Sequence, residues 1–393
     1  MALGYAIDVN GKAQQITKGY FGDLNSIARK LKKGYYGDDN GIARLIYSSN
    51  REIFKVTGLS DDNSNLYTAR CHLAAATVGN NALFAGGCDC MLLYYAYGDD
   101  CTFYDTVDAI NQSLTRSRAT KLSQARAQLA GASVGNYALF AGGRKQYDEI
   151  SETSATDVVD TYNQSLTRGS ATPLTRASDA KSGISFGDYA LFVGHLEGDI
   201  ETSAGAYDAC VYNASLTKTD ISVLSSGQGQ SLGVIGDFVI AVGGGLRMGA
   251  KTVCAINKSL TVTALDDYYK NVMFLSAATV GDHVIFGGSG TSLQVYAFDA
   301  SLTRILAEDL QSMHPYGMGA HVGVNEYGII AGGETVKIVE AYNESLTRTQ
   351  IEDLMEECEF GASTVLGDYT IVAGGFVSGT QKVSSAINIY SLK

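Results

Sequence analysis

The stretch LAAATVGNNALFAGG, Leu73–Gly87, decides how this chain folds, because it returns along the sequence. It comes back as LAGASVGNYALFAGG at Leu129–Gly143 and KSGISFGDYALFVGH at Lys181–His195. Further copies are SLGVIGDFVIAVGGG from Ser231, LSAATVGDHVIFGGSG from Leu275, GAHVGVNEYGIIAGGE from Gly319 and GASTVLGDYTIVAGG from Gly361. A second mark keeps step with the first: VDAINQSLTR, VDTYNQSLTR, ACVYNASLTK, VCAINKSLTV, VYAFDASLTR and VEAYNESLTR, with their serines at Ser113, Ser165, Ser215, Ser259, Ser301 and Ser345. The seventh, SSAINIYSLK, stops short of that serine. A fixed period of this kind marks one repeated structural unit, so the repeat is read before anything else.

Each unit reads as four antiparallel strands. Gly-Asp and Gly-Asn pairs supply the positive φ of a two-residue hairpin turn, and the apolar runs on either side pair across it. Those runs are nearly continuous in Ala, Val, Leu, Ile and Phe, as suits strands covered on both faces. Paired glycines end the second strand where sheets crowd or the chain turns sharply. The third strand alternates, and SLTR opens an outer fourth one. A lone sheet of this composition would expose apolar faces, so seven must stack around an axis. The expected fold is all-β, a seven-bladed β-propeller. The last repeat lacks a fourth strand after Tyr390, which would leave an unpaired edge. REIFKVTGLS, Arg51–Ser60, resembles the outer-strand segment RSRATKLS of the first blade and is expected to close the ring.

The order of apolar strand, glycine turn, strand ending in Gly-Gly and VEAYN-like strand is similar to the kelch repeat, over residues 51–393. Kelch repeats carry a tryptophan after the third strand, whereas this chain has none. The leucine of SLTR occupies the neighbouring place and is expected to fill the space between sheets. The resemblance implies a galactose oxidase-like propeller architecture.

Residues 1–50 follow a shorter period. KGYFGDLNSIARK from Lys18 and KGYYGDDNGIARL from Lys33 match at an offset of fifteen, with GYAIDVNGKA from Gly4 as a partial earlier copy. Each reads strand, turn, strand, and such short pieces bury little surface unaided. The segment is therefore a separate region for attachment or self-association. These copies, together with the SLTR repeats, resemble phage and prophage structural proteins of Gram-positive anaerobes. That resemblance implies a virion-associated or receptor-binding role.

Composition narrows the partners. With 45 glycines against two prolines and only 18% charged residues, the chain suits many short strands and tight turns. A net charge of −12 offers no footprint for nucleic acid, and no apolar stretch is long enough to span a membrane. The basic residues between Lys12 and Arg44 read as a solvated strand edge. Seven cysteines cannot all pair within one chain, and no export signal opens the sequence, so synthesis into a reducing cytoplasm is expected.

Propeller function resides on one face, where loops between second and third strands meet the connections between blades. Three such loops are long, Cys88–Asp105, Arg144–Thr156 and Leu196–Ala206, and should raise a wall over blades 1 to 3. The first, CDCMLLYYAYGDDCTFYD, sets Tyr94, Tyr95, Tyr97 and Tyr104 beside Asp99, a mixture of flat aromatic faces and carboxylates that suits a glycan or protein ligand or else packs the loop down. The blade connections contribute Arg126, Lys181, His314 and Tyr316 to the axial rim, as ligand contacts or as a satisfied polar border. Cys88, Cys90 and Cys101 lack a fourth ligand for structural zinc, so reduced thiols or a local disulfide are expected rather than a metal; Cys210 and Cys254 read as small apolar fillers.

No cofactor motif is present. The Gly-Gly pairs recur in every blade and are architectural rather than phosphate-binding. No nucleophile elbow or paired histidine motif occurs. The Tyr, Cys and His ligands of kelch-type copper oxidases do not map onto this chain, and the Asp-box of sialidases ends in the tryptophan that is missing. The sequence therefore reads as a binding propeller rather than an enzyme. A sugar-modifying enzyme, such as an epimerase or a glycoside-active propeller with its site at the axial mouth, is the alternative.

Overall fold

The computed structural model describes residues 52–91, 101–145, 154–178, 182–194, 208–222, 231–243, 253–266, 275–322 and 325–393, and the paired strands within 5–48. Two compact units emerge, Met1–Glu52 with Lys393, and Ile53–Leu392. In the first, three antiparallel hairpins repeat one register: Tyr5 faces Gln15, Tyr20 faces Lys30 and Tyr35 faces Leu45. The fifteen-residue period is thus one hairpin per copy.

The second unit is a seven-bladed β-propeller. Blade 1 comprises Ala74–Val78, Asn81–Ala85, Val107–Asn111 and Arg116–Arg118, hydrogen-bonded in that order. Blades 2 to 6 repeat it, their first strands being Ala130–Val134, Ser182–Phe186, Ser231–Ile235, Ser276–Val280 and Met318–Val322. Blade 7 takes Ala362–Leu366, Tyr369–Ala373 and Ile387–Leu392, and its outer strand is Ile53–Lys55 from the other end of the unit. Tyr390 faces Lys55 and Leu392 faces Ile53, the closure expected from the missing fourth strand. No helix among the described residues is long and apolar enough to cross a membrane.

The turns follow from local chemistry. Val78 faces Asn81 across Gly79-Asn80, and Gly79 has φ 54° while Asn80 does not turn positive. Positive φ at the first loop residue alone is the II′ pattern, which glycine adopts without a Cβ clash. At the other hairpin, Asn111 Oδ1 accepts from the N–H groups of Ser113 and Thr115, each at 3.0 Å, while the Leu114 N–H donates to the Asn111 carbonyl. This leaves Leu114 at φ 57°, and the leucine of all six SLT motifs shares that conformation.

The core is a set of wedges between neighbouring blades. Second strands are buried along nearly their whole length, whereas most first strands alternate, turning every second side chain to the axis. One wedge joins blades 7 and 1 through Ile371, Ile389, Phe84 and Ile110, and Leu114 packs into it. The next joins blades 1 and 2 through Leu83, Val107, Phe140 and Tyr162, with Leu166 against it. Phe140 and Tyr162 meet edge to face at 5.7 Å. The SLT leucines thus fill the inter-blade space, as expected in a chain without tryptophan.

Candidate functional site

The axial mouth on the side of the blade connections is built by one backbone position used repeatedly. His72, Gln128, Tyr316 and Phe360 each stand two residues before the first strand of their blade, with φ of 53°, 55°, 59° and 54°. Non-glycine residues held there cost about 1–3 kcal/mol each, and such outliers gather at ligand clamps. Their backbones form a relay around the mouth. Phe360 N–H donates to the Tyr316 carbonyl at 3.1 Å, His72 N–H to Phe360 at 2.8 Å, and Gln128 N–H to His72 at 2.9 Å. The side chains follow: Tyr316 and Phe360 rings lie 4.4 Å apart at 30°, and Phe360 and His72 rings 4.3 Å apart at 34°. The corresponding connections of blades 3, 4 and 5 fall outside the described residues.

Carboxylates border this aromatic arc. Glu359 is buried, which raises its pKa, and Ser378 Oγ donates to its Oε1. Burial raises the Tyr316 hydroxyl too, with Glu334 and Glu359 adding to the effect. Burial alone drives His72 down to about 3, so its imidazole is neutral at physiological pH.

Beneath the arc, a second repeated device locks the connections to the blades. Arg70 Nη2 lies 2.8 Å from Asp108 Oδ2, Arg126 Nη1 lies 2.9 Å from Asp160 Oδ2, and His314 Nε2 lies 2.7 Å from Glu340 Oε2. All six side chains are sealed from solvent. Each acid is the second residue of its main third-strand motif, and each also accepts a backbone N–H from the preceding connection: Tyr67 to Asp108, Ser123 to Asp160, Gln311 to Glu340. Burial works to raise the Glu340 carboxyl, but His314 and the Gln311 and Ser312 N–H groups outweigh it and hold it below the usual range.

The central channel is a cavity of about 1310 Å³ lined by the first strands of all seven blades. Small residues such as Ala75, Gly131, Gly183 and Gly319 form one tier. Hydroxyl groups form the next and stitch blades together: Ser133 Oγ donates to the Thr77 carbonyl at 2.6 Å, and Thr279 Oγ1 to Val234 at 2.9 Å. Among the described lining residues, carboxylates occur only at the hairpin-turn end, as Asp282 and Asp299.

Of the residues singled out by sequence, Tyr316 joins the arc. Tyr104 is half-buried with its hydroxyl 3.3 Å from Asp89 Oδ2. Arg126 and His314 do not present their charges to the mouth. Both side chains are turned inward to the acids of the third strands and closed to solvent. Tyr94, Tyr95, Tyr97, Asp99 and Lys181 lie outside the described residues, as does most of the expected three-loop wall. Sequence reasoning missed Phe360 and His72. They share a column of the repeat with Tyr316, but their side chains have no common type to draw attention to it.

No family model matches the chain, and no curated relative matches it. Among solved structures it is similar to YjhT, with a TM-score of 0.55 at 12% identity, over 73% of this chain and 99% of that one. At that identity the likeness concerns the propeller fold alone.

Proposed function

We propose that this chain is a non-enzymatic recognition propeller that binds a surface glycan at the axial mouth. The observation that carries the reading is the division of labour among the mouth's polar and aromatic groups. The ionisable side chains Arg70, Arg126 and His314 are consumed in buried ion pairs, while Tyr316, Phe360 and His72 form a contiguous arc of rings beside Glu334 and Glu359. The ring of Tyr316, backed by Phe360, suits the C–H face of a sugar, and the exposed Glu334 carboxylate accepts its hydroxyls. A sugar-modifying enzyme would need an acid and a base free to exchange protons at one substrate. The side chains beneath the arc are turned inward onto one another and closed to solvent instead.

The tyrosine-rich loop of blade 1, with Tyr94, Tyr95, Tyr97 and Asp99, extends this surface in our reading. In our reading the resemblance of the fifteen-residue copies and SLTR repeats to phage structural proteins makes this a phage-derived accessory protein, with residues 1–50 attaching the propeller to a virion or a second copy. The decisive experiment is a glycan-array screen of the full chain alongside F360A, with a melting curve for each. Binding of a glycan class that F360A reduces by tenfold or more, with folding retained, supports the reading. Turnover of a small sugar without stable binding to any array member would overturn it, and retention on a protein partner instead would move the ligand to the other class.

A further inference from the structure

We propose that Cys71, Cys88, Cys90 and Cys101 form a thiolate site for one soft divalent metal ion of the zinc class at the root of the blade 1 loop. The Sγ atoms of Cys88, Cys90 and Cys101 all lie within 4.8 Å of one another. Tetrahedral thiolate coordination with bonds of about 2.3 Å places sulfurs about 3.8 Å apart, so once the Cys90–Cys101 bond is reduced, side-chain rotations bring these three to ligand distance. Cys71, whose Sγ stands outside that group, would swing in as the fourth. It pairs with Cys88 across an antiparallel bridge through two backbone hydrogen bonds of 2.9 and 3.0 Å. The Cys71 and Cys88 thiols both turn to the Cys90 carbonyl, at 3.0 and 3.2 Å.

In the structure Cys90 and Cys101 are joined as a disulfide. That bond accounts for two of the four sulfurs. It leaves two buried thiols converging on the same carbonyl, in a pocket walled by Ala127 and Phe376 with Phe103, Phe360 and Val383 packed against it. Of the other three cysteines, Cys210 and Cys254 fill third strands, while Cys358 lies close enough to act on the Cys71 thiol but donates its own S–H to the Gly374 carbonyl. A soft ion explains all four and matches their donor type, whereas hard ions seek oxygen. The apolar wall would keep water out of the site.

The chemistry balances with a thiol reductant. Two external thiols reduce the Cys90–Cys101 bond, giving two cysteine thiols and one external disulfide. Metal uptake then breaks four S–H bonds, forms four S–metal bonds and releases four protons. The ion would pin the connection carrying Cys71 to both ends of the loop between Cys90 and Cys101, next to Phe360. The sequence suggested three ligands and no site, because Cys71 lies one hairpin upstream and only folding brings it alongside.

The test uses the full chain purified under a phosphine reductant, with metal analysis and titration with cobalt(II). The expected result is one ion per chain and a sulfur-to-cobalt charge-transfer band. C101S should weaken cobalt binding more than about 100-fold, since even outer-shell changes cost 10–100-fold. C210S should leave it unchanged. Should C101S fail to fold, thiol counting on the wild type decides. On wild type purified separately with no reductant at any step and unfolded with a chelator, a metal site yields all seven cysteines as thiols, whereas the disulfide alone yields five. Five thiols together with no cobalt band after reduction would overturn the proposal, as would a band that persists in folded C101S.

Discussion

The Arg126 guanidinium meets the Asp160 carboxylate at 2.9 Å with both side chains closed to solvent, and Arg168 reaches the other oxygen of the same carboxylate at 3.1 Å. Arg126 Nη2 also donates to the Phe140 carbonyl at 3.0 Å, and Ser123 donates to Asp160 through both its N–H and its hydroxyl. Removing one partner strands the other as a buried charge, which costs about 3–5 kcal/mol, whereas replacing both by apolar groups of similar volume is far less costly. D160A should therefore lose about 3–5 kcal/mol of unfolding free energy in urea. R126M combined with D160L should recover most of that loss. Equal destabilisation by the single and double variants would show that the pair contributes packing rather than charge compensation.

That pairing was present in the sequence in a form that reading blade by blade overlooks. Blades with an acid second in the third-strand motif, Asp108, Asp160 and Glu340, are those whose preceding connection carries Arg70, Arg126 or His314. Blades 3 and 4 have Cys210 and Cys254 at that position, and their connections offer no such partner in Ser178 or Gly227. The strands, the turns and the ring closure were legible because they depend on backbone chemistry that every repeat must satisfy. The arc was not, because His72, Tyr316 and Phe360 share a backbone conformation rather than a residue type. Its conformation comes from the inter-blade relay of hydrogen bonds, a tertiary cause that no local window contains.

His72 predicts a pH dependence. Its folded pKa of about 3 lies below the ordinary value of 6.5 because burial disfavours the imidazolium. The unfolded chain therefore binds the extra proton first as pH falls. The stabilisation is whole above pH 6.5 and drains away between 6.5 and about 3, at about 1.4 kcal/mol per pH unit. In H72N, asparagine tolerates the positive φ and carries no titrating ring. The stability difference between wild type and H72N should shift in favour of the variant by that slope below pH 6.5. The depressed Glu340 carboxyl adds its own loss at lower pH, but it is common to both proteins and cancels. A difference that stays constant from pH 8 to pH 4 would show that His72 takes up its proton equally in the folded and unfolded states.

The SLT turns separate conformational cost from packing. Leu114 sits at φ 57° yet is buried in the wedge between blades 7 and 1, while Leu302 has φ 63° and is only partly buried. Glycine relieves a left-handed strain of about 1 kcal/mol at either place. Truncating a buried leucine costs about 2–5 kcal/mol. L114G should therefore destabilise by about 2 kcal/mol, and L302G should lie near neutral. N111A, which removes the acceptor for two backbone N–H groups, should cost about 1–2 kcal/mol. Chemical denaturation of the three variants checks the order, and an L302G loss as large as that of L114G would mean the leucine side chain matters equally in every wedge.

Ring closure depends on three residue pairs at the far ends of the propeller unit: Lys55 with Tyr390, Phe54 with Ser391 and Ile53 with Leu392. The join is reinforced by Lys55 Nζ donating to the Asp353 carbonyl at 2.5 Å and by Val56 N–H donating to Ile389 at 2.8 Å. Without this strand the third strand of blade 7 has an unpaired edge, and Tyr390 and Leu392 lose cover on that side. Val56 and Leu59, which pack against the wedge between blades 7 and 1, go with it, while the wedges from blade 1 to blade 6 would remain intact. Because blades 7 and 1 are held together partly by the segment that follows the clasp, through Asn65 facing Ala386 and Leu66 N–H donating to the Ser385 carbonyl, opening the clasp loosens the whole seam. Deleting residues 51–60 should therefore replace the single cooperative melting transition with a broad one at lower temperature, and expose the blade 7 edge to association. F54P, which removes one donor from the pairing, should lower the midpoint while keeping the transition cooperative. Calorimetry of the deletion variant against the full chain decides the matter: unchanged melting would mean that six blades and an open seventh suffice to hold the ring.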